Sequence, residues 1–198
     1  MPKIWIACLA SYNNGVLHGE WVDLEPGLDH VNERIAHVLR TSKYPNTFRE
    51  DEDGNRYATA EEYAVHDYDD DTGMGLSRFG EYPDLAKLCY LVETHSGMRY
   101  NKDGFAAYIS DLSAEDVTSG NWSESQFEDR YRGAYDSFRD YADEQADEMI
   151  ACYVPSNKQD RAGFEMLQRY FDYESFARDL RFDCSTVEHN GKVHVFTA

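Results

Sequence analysis

The sequence has few basic residues for its length, and this shortage limits what the protein can bind. Lys and Arg number 19 against 38 Asp and Glu in 198 residues, which gives a formal net charge of -19. Affinity for nucleic acid comes largely from Lys and Arg that neutralise phosphates. Direct nucleic-acid binding is therefore disfavoured. Charge alone leaves two interpretations open: a basic protein partner, or acidity that serves solubility or a salt-adapted host.

Paired cysteines and long apolar runs are also missing. The four cysteines Cys8, Cys89, Cys152 and Cys184 form no C-x-x-C pair, which argues against a zinc site or a compact disulfide framework. No stretch approaches the roughly 20 apolar residues that a membrane-spanning helix needs. The N-terminal segment lacks the charged lead and cleavage pattern of an exported protein. We expect a cytoplasmic protein with free thiols and with no metal, cofactor or membrane partner.

Motifs for catalysis or metal binding are not evident either. An EF-hand loop begun at Asp67 needs Gly at its sixth position and Glu at its twelfth, where Thr72 and Arg78 stand. His18 and His66 have acidic neighbours in the sequence, yet no H-E-x-x-H, G-x-S-x-G or phosphate-loop pattern accompanies them. We expect His18 to pack near the first hairpin, His66 to support a strand end, and the protein not to be an enzyme.

What the sequence does contain is enough apolar surface for a folded core. The hydrophobic share is 41% and the aromatic share 14%, including 15 Tyr and 10 Phe. A disordered polyanion lacks the apolar surface that offsets chain entropy. The aromatic residues are expected in the core and at interfaces, because stacking platforms for single-stranded nucleic acid normally line a basic groove.

The first part of the chain is predicted to be a small α+β unit. Strand-like runs at residues 3–10 and 16–24, separated by the turn residues 11–15, indicate a β-hairpin. Asp29 is a candidate N-cap for a helix with apolar residues on one face, namely Val31, Ile35, Val38 and Leu39. Residues 42–58 are typical of a loop, and another strand is expected at 62–67.

The rest of the chain is predicted to be mainly helical until its last residues. Apolar spacing favours a helix from Leu85 to Val92, another from Phe105 to Leu112, and a long one from Ser123 toward Ile150. Two shorter helices are expected near 160–170 and 173–180, followed by a hairpin about His189, Asn190 and Gly191. The predicted fold class is α+β, an elongated chain of three small domains: 1–84, 85–127 and 128–198.

The acidic residues are spread along the chain and also concentrated at two places. All three predicted domains are net negative, with 17 acids against 7 bases in 1–84, 6 against 3 in 85–127, and 15 against 9 in 128–198. The predicted long helix places its acids on one side, and we expect that face to carry only acids, without Lys between them. Like charges four residues apart destabilise a helix, so stability alone does not favour this pattern. An ordinary solvated face is the alternative. The candidate partner-binding acids are Asp67, Asp69, Asp70, Asp71, Asp136, Asp140, Asp143, Glu144, Asp147 and Glu148.

Several segments resemble one known family. Residues 6–15 (IACLASYNNG), 17–21 (LHGEW) and 61–68 (EEYAVHDY) are similar to the opening of the ArdA family of antirestriction proteins, and residues 170–180 (YFDYESFARDL) with the terminal hairpin are similar to its later part. These segments lie in order along nearly the whole chain. The middle section matches least, and residues 42–58 look like an expansion over shorter members.

The resemblance implies a DNA mimic. It implies an elongated three-domain chain that forms a curved homodimer, imitates bent B-form DNA and occupies the DNA site of type I restriction-modification enzymes, at their DNA-recognition and methyltransferase subunits. Such proteins are typically encoded on mobile genetic elements. Dimer pairing through the last domain suggests a contact at Tyr153, Val154, Phe164 and Leu167. An acidic regulatory module that binds another basic DNA-binding protein is the alternative hypothesis.

Overall fold

The first sheet forms as the hydrophobic pattern predicts, with the N-terminal strand at its centre. The computed structural model describes residues 1–153 and 161–197. Strands β1 (Lys3–Cys8), β2 (Gly19–Asp23) and β5 (Tyr63–Asp69) pair antiparallel in the order β2-β1-β5. The register places Ile4 opposite Val22, and both are buried. The predicted pairing of the first two runs is confirmed.

Helix α2 (Leu28–Arg40) covers one face of this sheet. Its four predicted core positions, Val31, Ile35, Val38 and Leu39, are all buried. The predicted cap is wrong: Gly27 occupies the N-cap with φ 90°, and Asp29 lies in the first turn of the helix. Asp29 still stabilises the helix there, because a carboxylate in the first turn interacts favourably with the helix dipole.

Two connections differ from the predictions. The link between β1 and β2 contains the short helix α1 (Leu9–Asn13) instead of a tight turn, because the backbone amides of residues 14 to 16 bond back to carbonyls of Ser11 and Tyr12. The predicted loop at 42–58 contains the antiparallel pair β3 (Thr47–Glu50) and β4 (Arg56–Thr59). Asp51 closes this hairpin by accepting the backbone amides of residues 53 and 55.

The helices after the first sheet agree with the apolar spacing. A 3-10 turn (Leu76–Phe79) precedes α3 (Leu85–Gly97), α4 (Lys102–Asp111) and α5 (Ala114–Ser119). The apolar residues that predict α3 are buried, namely Leu85, Leu88, Cys89, Leu91 and Val92, and Phe105 of α4 is buried as well. Asp84 caps α3 by accepting the amides of Ala86 and Lys87, and Leu112 lies just beyond the end of α4.

The predicted long helix from Ser123 toward Ile150 is wrong. The segment forms α6 (Glu124–Arg130), strand β6 (Tyr131–Tyr135) and then α7 (Phe138–Tyr153). Residues four apart share a face in a helix and also in a strand, so the spacing of Tyr131 and Tyr135 fits both. Gly133 has φ 126°, which is incompatible with a helix, and β6 pairs with the last strand.

The end of the chain completes a second three-stranded sheet. Helices α8 (Arg161–Tyr170) and α9 (Tyr173–Leu180) precede β7 (Cys184–His189) and β8 (Lys192–Thr197), and the sheet order is β6-β8-β7. The predicted terminal hairpin is confirmed. Asn190 and Gly191 both have positive φ, 48° and 74°, as a type I′ turn requires.

The α+β fold class is confirmed by these small antiparallel sheets with their helices. Backbone packing divides the chain into two compact units, residues 1–124 and 125–198. The finer division into 1–84, 85–127 and 128–198 stays a prediction. Within the described residues, no helix is both long enough and apolar enough to cross a membrane.

Candidate acidic binding surface

The acids lie at the surface of both units. Among the described residues, the buried polar side chains are Ser11, Thr59 and His194, so no described Asp or Glu is buried. Desolvating an ionised carboxylate without a partner costs several kcal/mol or more, which explains this placement. The negative charges of the described residues are therefore available at the surface of the fold.

Many cations, by contrast, are engaged within the fold. Arg78 donates to the carbonyl oxygens of Leu112 at 2.7 Å and Ile109 at 2.8 Å, and so ties the 3-10 turn to the end of α4. Other guanidinium groups lie over aromatic rings: Arg40 over Tyr57, Arg56 over Phe48 and Arg181 over Phe138. These contacts hold positive groups against their own unit.

Three exposed acids on α7 form a regular row, which we call the α7 acid row: Asp140, Glu144 and Glu148. Successive members are four residues apart, which is about 6 Å along the helix axis. Ser137 precedes the helix, accepts the Asp140 amide at 3.2 Å and donates to its carboxylate at 2.7 Å. The row therefore begins at a fixed helix N-terminus.

Other acids predicted for the same face are engaged elsewhere. Asp143 forms an ion pair with Arg139 at 2.6 Å, and Arg139 also reaches Glu174 of α9 at 2.6 Å. Asp136 precedes the helix and forms an ion pair with Lys192 at 2.6 Å. The expectation of a face that carries only acids is wrong, because Arg139 lies among them.

Asp147 holds α7 against the following helices. Its carboxylate accepts the Tyr173 hydroxyl at 2.5 Å and the Gln168 amide at 2.8 Å. Partial burial first, and the contact with Asp147 second, raise the pKa of Tyr173 to about 12. Tyr173 therefore remains a hydrogen-bond donor at neutral pH, and Asp147 has a clear structural role.

The second predicted cluster lies at the end of β5, at the edge of the first sheet. Asp67 and Asp69 are exposed on the strand, and Asp71 forms an ion pair with the N-terminal ammonium of Met1. Asp70 is half-buried and accepts four hydrogen bonds from Thr72, Gly75 and Leu76. Burial by itself raises the pKa of Asp70, but these hydrogen bonds outweigh it and lower the pKa.

The two histidines considered for catalysis are in packing positions. His18 Nε2 lies 2.9 Å from the Val38 carbonyl oxygen, at the end of α2. The His66 ring contacts the Tyr12 ring edge-on, with centroids 4.9 Å apart. Among the described residues, no group of three or more His, Cys, Asp or Glu side chains could hold a metal ion.

The predicted dimer contact is only partly covered by the structure. Val154 lies outside the described residues, and the side chains of Tyr153 and Phe164 are not described. Leu167 is exposed on α8, beside the exposed residues Met166 and Tyr170. The assignment of these residues to a dimer contact stays a prediction.

Sequence reasoning missed further exposed acids of the second unit. Glu128 and Asp129 are exposed on α6, and Glu174 and Asp179 on α9. Their signal was available, since each lies on the polar side of a short amphipathic helix. Together with the α7 acid row they make the second unit acidic on several elements.

The class of protein that these features define is an acidic α+β protein with its carboxylates at the surface and many of its cations engaged internally. A family model described as "Antirestriction protein (ArdA)" matches residues 4–194. The chain therefore belongs to the ArdA family and is an antirestriction protein. A search of curated proteins found no match.

Proposed function

We propose that this antirestriction protein is a mimic of B-form DNA that occupies the DNA-recognition groove of a type I restriction-modification enzyme. It contacts the DNA-recognition and methyltransferase subunits, acts by binding and not by catalysis, and uses no cofactor. The observation that carries the proposal is the α7 acid row, three exposed carboxylates at a regular spacing on one rigid helix.

The spacing of the row suits a groove that is built for phosphates. Its carboxylates repeat at about 6 Å along the helix, and two phosphate steps along one DNA strand span about 7 Å at 3.4 Å each. Enzymes that act on many sequences hold DNA largely through phosphate contacts. A rigid set of carboxylates can therefore compete for those contacts without any base recognition.

The oligomeric state and the cellular location of the protein are part of the same proposal. It works as a homodimer in the cytoplasm, where it meets the restriction enzyme of a host that a mobile genetic element has entered. It binds no nucleic acid directly, because its net charge of -19 repels phosphates.

A cleavage-protection assay tests this function. Purified protein is added to a type I enzyme with unmodified plasmid DNA, and cleavage and methylation are followed over a range of inhibitor concentrations. Inhibition that is complete near one inhibitor dimer per DNA-binding site of the enzyme, and that excess plasmid relieves, supports mimicry. Undiminished cleavage at large molar excess contradicts it and directs attention to another basic DNA-binding partner.

A further inference from the structure

The outer face of the first sheet carries an aromatic surface that charge mimicry does not require. Side chains alternate along a strand, so the buried residues Ile4 and Ile6 face α2 while Trp5 faces away from it. The register places Trp21 of β2 directly opposite Trp5. Their rings meet edge-on with centroids 5.6 Å apart. Two indoles therefore lie side by side on the face opposite α2.

This surface is accessible. Trp21 is 44% exposed and Leu17 is 71% exposed. Together with Trp5, His66 and Asp67 they line a shallow pocket, which we call the Trp5–Trp21 pocket. Exposed tryptophan is uncommon, and it is among the residue types that contribute most to binding at protein interfaces.

Carboxylates border the pocket. Asp67 lies opposite Trp5 in the β1–β5 register, and Asp69 lies opposite Lys3. Both acids are exposed, whereas the Lys3 ammonium forms an ion pair with Asp23, with 3.5 Å between Lys3 Nζ and Asp23 Oδ1. The border of the aromatic pair is therefore net negative.

Aromatic faces beside carboxylates fit one kind of side chain best. A guanidinium group stacks on indole rings and also pairs with carboxylates, and it is more weakly hydrated than an ammonium group. A stacked nucleic-acid base would bring its phosphate close to Asp67 and Asp69, which repel it. The chemistry of the pocket thus selects a cationic protein segment over single-stranded nucleic acid.

We infer that the Trp5–Trp21 pocket binds an arginine side chain on a basic segment of the partner protein. That the partner is a type I enzyme rests on the proposed function. That the pocket binds an arginine side chain does not depend on the proposed function. The pocket adds a desolvated, apolar contact to binding that otherwise depends on exposed charges. Because salt screens exposed charges more than buried contacts, this contribution persists at higher ionic strength.

The first test uses the full chain and a defined probe, the acetylated and amidated peptide Gly-Arg-Gly. Indole N–H signals of the three tryptophans are followed by NMR while the peptide is added, and Trp122, which is 8% exposed, is the internal control. The expected result is a progressive shift of the Trp5 and Trp21 signals with Trp122 unmoved. The matching citrulline peptide, which lacks the charge, should produce little change.

If the Trp5 and Trp21 signals do not shift at peptide concentrations up to tens of millimolar, the inference is overturned. Equal shifts with the citrulline peptide overturn it as well. Asp67→Asn should reduce the shifts without altering the spectrum of the free protein elsewhere. This arm needs no restriction enzyme, so it remains decisive even if the proposed function fails.

The second test measures binding to a type I methyltransferase core. Trp21→Ala should weaken binding about tenfold or more, as a hot-spot residue does, and the loss should persist at high salt. Tyr100→Ala is the matched control, because Tyr100 is 76% exposed in the same unit and does not line the pocket. If Trp21→Ala and the wild type bind the core with equal affinity, the assignment to this partner is overturned. It is also overturned if sedimentation shows that Trp21→Ala changes only the self-association of the protein. If the wild-type protein does not bind the core at all, the proposed function fails while the peptide result stands.

Discussion

Individual acids in this protein have different roles, and Asp70 illustrates the structural one. Its two oxygens accept hydrogen bonds at 2.6–3.1 Å from the Thr72 amide and hydroxyl and from the amides of Gly75 and Leu76. These bonds fix the turn that leads from β5 into the 3-10 turn. Its neighbour Asp69 is exposed on the strand and has no comparable set of donors. Sequence composition cannot separate the two, since both belong to one acidic run.

Asp70→Asn should destabilise the fold. An asparagine presents an NH2 group where a carboxylate oxygen accepts backbone amides, so two donors face each other. We expect a loss of about 1–3 kcal/mol in the free energy of unfolding, measured by urea denaturation. Asp69→Asn is the matched control and should stay close to wild type. Equal stabilities of the two variants would refute the role assigned to Asp70.

The same residue makes a prediction about pH. The folded state lowers the pKa of Asp70, so its contribution to stability is present above the ordinary Asp pKa of about 3.9 and is lost as the pH falls through the lower folded value. Wild type should therefore lose stability in this acidic window more steeply than Asp70→Asn. Parallel stability profiles for the two proteins below pH 5 would contradict this linkage.

At the scale of elements, strand β6 decides the architecture of the second unit. Its pairing with β8 makes a three-stranded sheet out of what would otherwise be a terminal hairpin. The strand bends at Gly133, whose φ of 126° lies in a region that other residues rarely adopt. A Cβ at this position would lie 3.1 Å from the Tyr135 ring. The backbone conformation therefore favours glycine, and a side chain here would also have to displace the Tyr135 ring by a few tenths of an ångström.

Gly133→Ala should lower the stability of the second unit by about 1–3 kcal/mol through backbone strain. Thermal unfolding followed by circular dichroism is the measurement. Gly97→Ala offers the control, because Gly97 ends α3 with open space around its Cα and has no strained φ. A Gly133→Ala protein as stable as the Gly97→Ala protein would argue against a strained bulge in β6.

The α7 acid row gives the functional prediction at this scale. Replacing Asp140 by Asn and both Glu144 and Glu148 by Gln should raise the half-inhibitory concentration by about tenfold, whereas Glu144→Gln alone changes it little. Removing like charges four residues apart relieves repulsion within the helix, which offsets the loss of the Asp140 carboxylate in its first turn, and circular dichroism checks that the helix content is kept. The measurement is inhibition of type I cleavage.

A charge-matched control is available on the β3–β4 hairpin. Glu50→Gln, Glu52→Gln and Asp53→Asn remove three exposed acids and keep Asp51, which closes the turn. If this control loses as much inhibition as the α7 variant, net charge alone accounts for binding and the α7 acid row has no special place. An abrupt loss from Glu144→Gln alone would contradict a distributed surface.

The elements that could be predicted from sequence are those with a single local explanation. The apolar spacing of α2 and α3 fits only a helix, and the Asn190–Gly191 turn is fixed by its need for positive φ. Residues 131–135 misled the prediction because a spacing of four fits helix and strand equally. The partners of Asp147, Gln168 and Tyr173, lie 21 and 26 positions away in the sequence, which no local pattern reveals.

Over the whole molecule, surface charge and core formation are separated. Apolar side chains build the core of each unit, while no carboxylate of the described residues is buried. Many cations that could neutralise a partner-binding face instead bond to carbonyl oxygens or lie over aromatic rings. Such a protein presents most of its negative charge at the surface, although some acids, such as Asp136 and Asp143, form ion pairs with cations of the same chain. This arrangement suits competition with DNA for a basic groove.

Competition at that groove is the most direct test of the central claim. Labelled duplex DNA is bound to a type I methyltransferase core, and the protein is titrated in at two salt concentrations beside an unrelated protein of equal acidity. A DNA mimic should displace the DNA stoichiometrically, whereas the unrelated acidic protein should not, and the affinity of the mimic should fall as salt rises. Retention of the DNA at saturating inhibitor, or equal displacement by the unrelated acidic protein, would contradict DNA mimicry.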